Sequence, residues 1–213
     1  SASPGEDAVA VFARDPGSGA LAFVEVERVG IAGVDGLNGA RALVVSPAPG
    51  NHLYVVSDVD DAVAVFARNP ANGALAFVEV QRDGIAGFDG LNGAADVVIA
   101  ATGGHLYVAG AADGAIAELA RNPATGHLIF LGTAATGNAV HGLVLPADGN
   151  ALYAVGAAAA MVIVFQRNLG SGLLTPLPPA GGGFVGGPGL AVSPDGSFVY
   201  LASALADVAA AFR

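Results

Sequence analysis

The amino-acid sequence predicts an all-β protein, a β-propeller built from about four copies of a four-stranded antiparallel blade. The first observation is a tyrosine that recurs in one apolar phrase, as Tyr54, Tyr107, Tyr153 and Tyr200. The second is a large apolar residue that ends another phrase, as Phe12, Phe66, Leu119, Phe165 and Phe212. Successive markers lie 46 to 54 residues apart, and a repeat of this length is typical of a propeller blade.

Within one repeat, four short apolar runs are separated by residues that favour turns. We name the predicted strands a to d, with representative copies of a at 189–193, b at 198–203, c at 61–67 and d at 74–81. Apolar residues alternate with a period of two in strands c and d, which is a strand pattern. Turns are predicted from Pro194 to Gly196 and from Asn69 to Gly73, because Pro, Asp, Asn and Gly favour them.

The repeat runs through the chain without interruption, so we predict one domain over residues 1–213. The predicted units are 7–60, 61–113, 114–159 and 160–206, followed by a trailing strand at 207–213. Hydrophobic residues make up 54% of the chain, which suits blades covered on both faces by their neighbours. The longest nearly polar-free stretch, 151–165, is 15 residues long, below the roughly 18 of a membrane helix. We predict a hairpin there and no membrane insertion.

The charge of the chain excludes one class of partner. The formal net charge is −10, lysine is absent, and the eight arginines form no cluster. Proteins that bind nucleic acid or an anionic bilayer need basic surfaces. We therefore expect no nucleic-acid partner.

Three segments of the sequence resemble a known family. They are GLAVSPDGSFVYLAS (189–203), VFARNPANGALAFVEV (65–80) and GFDGLNGA (87–94). In these segments the chain resembles the lactonase-like β-propellers and the related YVTN-type surface repeat proteins. The resemblance implies rings of seven blades, and a bacterial type of repeat that is consistent with a secreted or periplasmic protein. No signal peptide is visible in the sequence.

The repeat count leaves three arrangements open. Four repeats can form a small closed ring, an arc of a larger propeller, or a piece that completes a ring by self-association through its terminal strands. The trailing strand c could join the N-terminal strand d (20–27) in a mixed blade, within one chain or between two. An open arc would instead expose apolar faces at both ends.

Strand a is expected to line the central channel, so the residues at its entrance are the main site candidates. The aligned copies carry Arg41, Ala95, His141 and Pro188, and Asp96 follows Ala95. In lactone-hydrolysing relatives, His, Arg and carboxylate groups around the channel do the chemistry, so the resemblance implies Arg41, Asp96 and His141 as catalytic candidates. The alternative is that they are partly exposed polar residues at loop ends.

Glu118 is a further candidate because it breaks the pattern of its strand. It occupies the position of Val11, Val65 and Val164 in the other copies. An ionised carboxylate there is costly unless it is paired or hydrated, and a perturbed carboxyl beside a cavity is a functional candidate. A strand edge wetted by the channel explains it equally well.

Residues that recur in the copies are expected to be structural. This applies to the tyrosines and to the arginines before the turn from strand c to strand d, which are Arg14, Arg68, Arg121 and Arg167. His52 and His105 precede the Leu-Tyr phrase in neighbouring copies, and a pair of imidazoles can indicate a metal. Without cysteine or a third ligand, we expect them to be solvated turn residues.

Acidic residues concentrate in the predicted connections from d to a and from b to c. Asp35 and Asp89 lie there in the duplicated segments VDGLNGA and FDGLNGA. Oxygen ligands in loops suit Ca²⁺, so these two are the metal candidates and calcium is the candidate cofactor. Asp-Gly and Asn-Gly are also strong turn formers, and a structural loop capped by Arg28 or Arg82 is the alternative.

The sequence leaves three functions open. A propeller scaffold that binds a small molecule or a protein fits the scarcity of unique polar groups. A lactone hydrolase acting at the channel mouth and a purely structural surface repeat are the alternatives. The sequence contains neither a Gly-x-Ser-x-Gly motif nor a P-loop, so binding is favoured over catalysis.

Overall fold

The computed structural model describes residues 2–3, 7–156, 161–178, 180–181, 189–203 and 208–212. These residues form nineteen β-strands and no helix. The strands are β1 (Ala2–Ser3), β2 (Ala8–Arg14), β3 (Leu21–Arg28), β4 (Ala40–Val45), β5 (His52–Ser57), β6 (Ala62–Arg68), β7 (Leu75–Arg82), β8 (Ala94–Ile99), β9 (His105–Gly110), β10 (Ala115–Arg121), β11 (Leu128–Ala135), β12 (Gly142–Val144), β13 (Ala151–Val155), β14 (Met161–Arg167), β15 (Leu174–Pro176), β16 (Ala180–Gly181), β17 (Leu190–Val192), β18 (Val199–Ser203) and β19 (Val208–Phe212). The all-β prediction is confirmed.

The strands form five antiparallel sheets that follow one another along the chain. We call them blades 1 to 5. Blade 1 contains β1–β3, blade 2 β4–β7, blade 3 β8–β11, blade 4 β12–β15 with β16 also on β14, and blade 5 β17–β19. Strands lie in chain order within each blade, as the predicted a-b-c-d meander requires. Among the described residues, blade 1 has no strand a and blade 5 has no strand d.

The predicted strands agree closely with the observed ones. The representative a, b, c and d segments match β17, β18, β6 and β7 to within one residue at each predicted end. Within the apolar stretch 151–165, β13 and β14 pair antiparallel, as the predicted hairpin requires. The connecting residues 157–160 lie outside the described residues. Among the described residues there is no helix of the length and apolarity that a membrane crossing requires.

The first strand of each complete blade lies nearest to the common axis. The strand β4 packs beside β8, β8 beside β12, and β12 beside β17, and these contacts are closer than those between the last strands of successive blades. Blades that radiate from one axis produce this difference. The predicted inner position of strand a is therefore observed.

The apolar core lies in the joints between blades. Because successive residues of a strand point to opposite faces, each blade presents one face to the preceding blade and the other to the following blade. Buried residues in the joint between blades 2 and 3 include Tyr54, Val65, Leu106 and Leu119, and those between blades 3 and 4 include Tyr107, Ile116, Leu152 and Phe165. The apolar strands are thus explained by coverage on both faces.

A buried polar network crosses the joint between blades 2 and 3. The hydroxyl of Tyr54 donates to the carbonyl of Gly126 at 2.9 Å and accepts from Nε of Arg121 at 2.5 Å. The guanidinium also donates to the carbonyl of Gly103 at 2.9 Å and lies 2.8 Å from Nδ1 of His52. We call this set of contacts the interblade clamp.

The clamp is repeated between blades 3 and 4. Tyr107 donates to the carbonyl of Gly172 at 2.6 Å, and Arg167 reaches the tyrosine hydroxyl at 2.6 Å and Nδ1 of His105 at 3.0 Å. The prediction that the repeated arginines are structural is confirmed for Arg121 and Arg167, whereas Arg14 is exposed. The prediction that the histidines are solvated is wrong, because His52 is only 4% exposed and both rings accept from a buried guanidinium.

Glycine is required where the clamp histidines pack. Gly126 and Gly172 have φ angles of +81° and +80°, a region that side-chain-bearing residues rarely adopt. A Cβ at either position would also occupy the place of the histidine ring of the preceding blade. The turn from strand c to strand d is therefore also the socket for an imidazole.

The two ends of the array expose faces that are covered elsewhere. On blade 1, Phe12 and Phe23 are 46% and 63% exposed, and on blade 5 Tyr200 is 45% exposed. No strand pairing joins blades 1 and 5 in the described part of the chain. Over the described strands the arrangement is a partial propeller and not the small closed ring, and these strands form no mixed terminal blade within one chain. Self-association through the terminal strands stays a prediction.

Replacing the clamp arginine should destabilise the fold strongly. Arg121→Ala removes the donor of a buried hydroxyl and a buried imidazole, so we expect the free energy of unfolding to fall by about 2–4 kcal/mol. Arg14→Ala is the matched control, since Arg14 holds the same repeat position but is exposed, and its effect should stay within about 0.5 kcal/mol. Urea unfolding measures both variants, and equal losses would contradict the clamp.

Stability should fall as the pH drops below 6.5. Burial, reinforced by the arginine charge, lowers the pKa of His52 and of His105 from the ordinary value of 6.5. The unfolded chain therefore takes up protons first, and the contribution of the neutral rings is complete above pH 6.5 and is lost below it. Melting temperatures between pH 8 and pH 5 measure this. A double variant, His52→Asn with His105→Asn, should show a flatter profile, and an unchanged profile would rule out this origin.

Candidate functional site

Arg41 lies in a β-bulge at the entrance of the inner strand β4. The register against β5 skips from Ala40 to Ala42, which makes Arg41 the extra residue. Bulges re-aim side chains and are frequent near active sites. Here the guanidinium forms an ion pair with Asp58 of the same blade, with Nη1 2.6 Å from Oδ2. The charge of Arg41 is thus already balanced at the channel mouth.

Asp96 joins two inner strands. One carboxylate oxygen accepts from the amide of Val97 at 2.8 Å, and the other accepts from the amide of Leu143 in the next blade at 2.8 Å. Burial raises the pKa of Asp96, and these two amide donors partly oppose the rise. Both oxygens are therefore used to hold β8 and β12 together.

The three catalytic candidates have separate partners. The backbone amide of His141 donates to the carbonyl of Val155 at 2.9 Å, next to the start of β12. Among the described residues, no hydrogen bond or ion pair joins Arg41, Asp96 and His141 to one another. Pro188, the fourth residue of the aligned column, lies outside the described residues. Arg41 and Asp96 lie on the inner strands β4 and β8, and His141 directly precedes β12, but the three form no network with one another among the described residues.

Glu118 forms a hydrogen bond between blades. It is buried in β10, and its Oε1 accepts from the amide of Leu174, the first residue of β15 in the next blade, at 2.7 Å. Burial raises its pKa, and the bond to Leu174 lowers it in part. Two other glutamates do the same in earlier joints: Glu25 accepts from Leu75 at 2.5 Å and Glu79 from Leu128 at 2.9 Å.

A cross-strand exchange explains why Glu118 breaks the pattern of its strand. In blade 2, Val65 lies opposite Glu79, whereas in blade 3 Glu118 lies opposite Gly132. The carboxylate has therefore moved from strand d to its partner on strand c and still reaches the first residue of the next strand d. A Cβ on Gly132 would lie 3.2 Å from an oxygen of Glu118, so the small residue leaves room for the relocated side chain.

Aspartates on the entrance face hold the duplicated loops in place. Asp7 and Asp61 accept from the amides of Gly39 and Gly93 in the following loop, at 2.9 Å and 2.7 Å. Asp60 accepts from both the backbone amide and the side-chain amide of Asn38, at 3.0 Å and 2.9 Å. Much of the acidic character of this face therefore serves loop structure.

The metal candidate Asp35 is paired with an arginine. Its two oxygens lie 2.8 Å and 3.0 Å from the guanidinium of Arg82, which also lies 3.6 Å from Asp60. The hydrogen bond from Arg82 lowers the pKa of Asp35. This contact is the predicted arginine cap of the loop, formed by Arg82.

The metal candidate Asp89 has different surroundings. Ligand atoms of Asp83, Asp89 and Asp113 lie within 4.8 Å of one another. Blade 3 has Ala135 at the position that Arg82 occupies in blade 2. Asp83, which follows blade 2, aligns with Val29, which follows blade 1. Three carboxylates thus replace an ion pair, a set that suits a hard cation such as Ca²⁺.

These carboxylates also have partners within the chain. Asp83 accepts from the amide of Leu91 and Asp113 from the amide of Asn92, each at 3.0 Å. Burial raises the pKa of Asp113, and the charges of Asp83, Asp89 and Asp61 add to the rise. The sequence showed the departures at Asp83 and Ala135 from the neighbouring copy, but only the fold brings the three aspartates together.

Removing the carboxylate of Glu118 should destabilise the fold, and placing a glutamate at position 132 on the neighbouring strand should restore most of the stability. Glu118→Ala leaves the partly buried amide of Leu174 without its acceptor, so we expect a loss of about 1–3 kcal/mol in the free energy of unfolding. The double variant Glu118→Val with Gly132→Glu reproduces the arrangement of blade 2 and should recover most of it. Thermal and urea unfolding test both. A double variant no more stable than Glu118→Ala would contradict a purely structural role.

The chain is similar to known β-propeller proteins in sequence and in fold. The family profile described as "Lactonase, 7-bladed beta-propeller" matches residues 2–183. Similar solved structures include a 6-phosphogluconolactonase candidate from Bacteroides uniformis (17% identity, TM-score 0.80), a protein from Lactobacillus plantarum (22%, 0.77) and the periplasmic gluconolactonase PpgL of Pseudomonas aeruginosa (25%, 0.73). No curated protein matches the chain.

The alignments cover most of this chain but only part of those structures. They include 97%, 97% and 96% of this chain and 61%, 60% and 59% of the three solved chains, in the same order. The chain thus spans about three fifths of the length of these structures, in agreement with a partial propeller. On the profile match and the blade structure together, the chain belongs to the lactonase family of seven-bladed β-propellers.

Proposed function

We propose that the chain is a binding scaffold without lactonase activity of its own. The observation that carries this proposal is the engagement of the candidate polar groups in structural contacts. Asp96 binds two backbone amides, Glu118 binds the next blade, and Arg41 is paired with Asp58. Lactone hydrolysis needs a base and a donor for the developing oxyanion that converge on one reacting carbon. These three groups instead contact separate partners and are not joined to one another among the described residues.

The entrance face favours a neutral or cationic ligand. Its loops carry many carboxylates, and the arginines Arg41 and Arg82 are each paired with an aspartate there. A ligand with a phosphate or carboxylate would meet unbalanced negative charge, since the whole chain has a net charge of −10. Loops held by backbone hydrogen bonds form a rigid surface for such a partner, which can be a small molecule or a protein.

A lactone hydrolase is the second candidate, and the family membership favours it. One of the similar structures is a gluconolactonase, at 25% identity. In such an enzyme, His141 would be the base, because its ring has no hydrogen bond to the described residues. Asp96 would then orient the inner strands next to it, and Arg41 would need to leave Asp58 to bind an oxyanion.

Lactone turnover separates the two candidates. With D-glucono-δ-lactone and its 6-phosphate, we expect acid release at the spontaneous rate, equal for the chain, for His141→Ala and for Arg41→Ala. The folded state of each variant is checked by circular dichroism. A rate at least about tenfold above the spontaneous reaction that disappears in His141→Ala would overturn the scaffold proposal and establish the hydrolase.

A further inference from the structure

A small cavity lies in the joint between blades 2 and 3, beside the interblade clamp. Its volume is about 110 Å³, and its walls come from the turn between β4 and β5, the turn between β8 and β9, and the end of β10 with the turn after it. The polar lining residues are Ser46, Asn51, Thr102 and Arg121, and proline and alanine side chains form most of the remaining wall. Blades 2 and 3 both contain all four strands, so the cavity belongs to a complete joint.

The charge of Arg121 has no counter-ion in this joint. Arg121 is 9% exposed, and its partners are a tyrosine hydroxyl, a backbone carbonyl and an imidazole nitrogen. No carboxylate of the described residues forms an ion pair with it. A guanidinium has five N–H donors, so two of them have no acceptor in the described part of the chain. A buried charge is costly unless it is paired, so the cavity beside Arg121 favours a negative charge.

Two further side chains bring donors to the cavity. The hydroxyl oxygen of Ser46 accepts from the amide of His52 at 3.2 Å, which leaves the hydroxyl proton to be donated. The side-chain oxygen of Asn51 is buried, whereas its amide nitrogen is accessible and has no hydrogen bond to a described residue. The cavity therefore collects N–H and O–H donors from both blades.

These donors distinguish this joint from the joint between blades 3 and 4. The second clamp arginine, Arg167, has the same three kinds of partner. The residues that correspond to Ser46 and Asn51 there are Ala100 and Gly104, and neither can donate from its side chain. The clamp forms in both joints, so it does not require the hydroxyl and the amide.

We propose that the cavity binds a small oxyanion with a single negative charge, of the carboxylate or hydrogencarbonate type, against the guanidinium of Arg121. At about 30 Å³ for each water of the liquid, the volume suits a ligand of roughly four non-hydrogen atoms. The donors of Arg121, Ser46 and Asn51 come from different sides, and an oxyanion has several acceptor atoms to meet them. Hydrogen bonds between a guanidinium and a carboxylate are short and strong.

The cavity is separate from the channel-mouth candidates. The turns that follow strands a and c lie at the opposite end of the blades from the connections d to a and b to c, because neighbouring strands are antiparallel. The carboxylates of the entrance face therefore do not line the cavity. The proposal stands whether or not the chain hydrolyses lactones, and whatever the entrance face binds.

Acetate and acetamide are matched probes, because they have the same shape and differ in charge. In a chemical-shift titration at constant ionic strength, in which acetate replaces chloride, we expect one saturable site with a dissociation constant of about 1–10 mM or tighter. The Nε–H resonance of Arg121 should move, whereas that of Arg167 should not. Acetamide should produce neither shift. An equal response to acetamide, equal shifts at the two arginines, or no saturation overturns the proposal.

Two protein variants locate the site. Asn51→Leu removes the amide donor together with a buried oxygen that has no partner, so the fold should be at least as stable as before. The affinity for acetate should fall by about tenfold or more. Asn150→Leu is the matched control, because Asn150 holds the same repeat position, is exposed and does not line the cavity; its affinity should be unchanged.

Equal affinities of Asn51→Leu and the unaltered chain overturn the assignment, as do equal losses in the two variants. If Asn51→Leu does not fold, the resonances of Arg121 and Arg167 in the unaltered chain decide.

Hydrogencarbonate, titrated in the same way, identifies the source of the oxyanion. Tighter binding than acetate assigns the inorganic ion, and weaker binding assigns a carboxylate; both results support the proposal. Chloride is the ion that each probe replaces, so a site that binds chloride equally well gives no titration with either probe. That result overturns the proposal.

Discussion

The structure depends on a buried guanidinium that crosses each central joint between blades. Apolar blade faces attract one another without fixing their relative position, whereas a hydrogen-bond network has one geometry in which every group is satisfied. Arg121 fixes that geometry by binding Tyr54 and His52 of one blade and a carbonyl of its own. The buried charge of Arg121 needs acceptors on all sides. The phenol oxygen of Tyr54 and the neutral ring of His52 are two of these acceptors, and Gly126 leaves the space that the His52 ring occupies.

Carboxylates perform a second set of structural tasks around this frame. Glu79 and Glu118 each accept a hydrogen bond from a backbone amide of the next blade. Glu79 lies on a strand d and Glu118 on a strand c, so the same contact between blades is made from two different sequence positions. The loop that contains Asp89 differs from the loop that contains Asp35. The Asp35 loop has an ion pair with Arg82, whereas the Asp89 loop has Ala135 at the position of Arg82 and three close carboxylates. A residue that differs between copies therefore indicates a functional site only if no second substitution restores the same structural contact.

Periodicity in the sequence was sufficient to place the strands, because each copy repeats the same alternation and the same turn residues. It could not show contacts between copies. Arg121 and Tyr54 are 67 positions apart, and nothing in either segment states which faces meet. For the same reason His52 read as a turn residue and Glu118 as a candidate site. The exchange between Glu79 and Gly132 is visible in the sequence, but only the strand register pairs Gly132 with Glu118.

A double-mutant cycle between Tyr54→Phe and Arg121→Lys tests the interblade clamp most directly. Both changes keep the side-chain volume nearly constant, so their interaction energy reports the contact across the joint. The account predicts a coupling of at least about 1 kcal/mol in urea unfolding, and additivity when Tyr54→Phe is combined with Arg14→Lys. If the effects of Tyr54→Phe and Arg121→Lys also add to within about 0.3 kcal/mol, the clamp does not hold the blades in register.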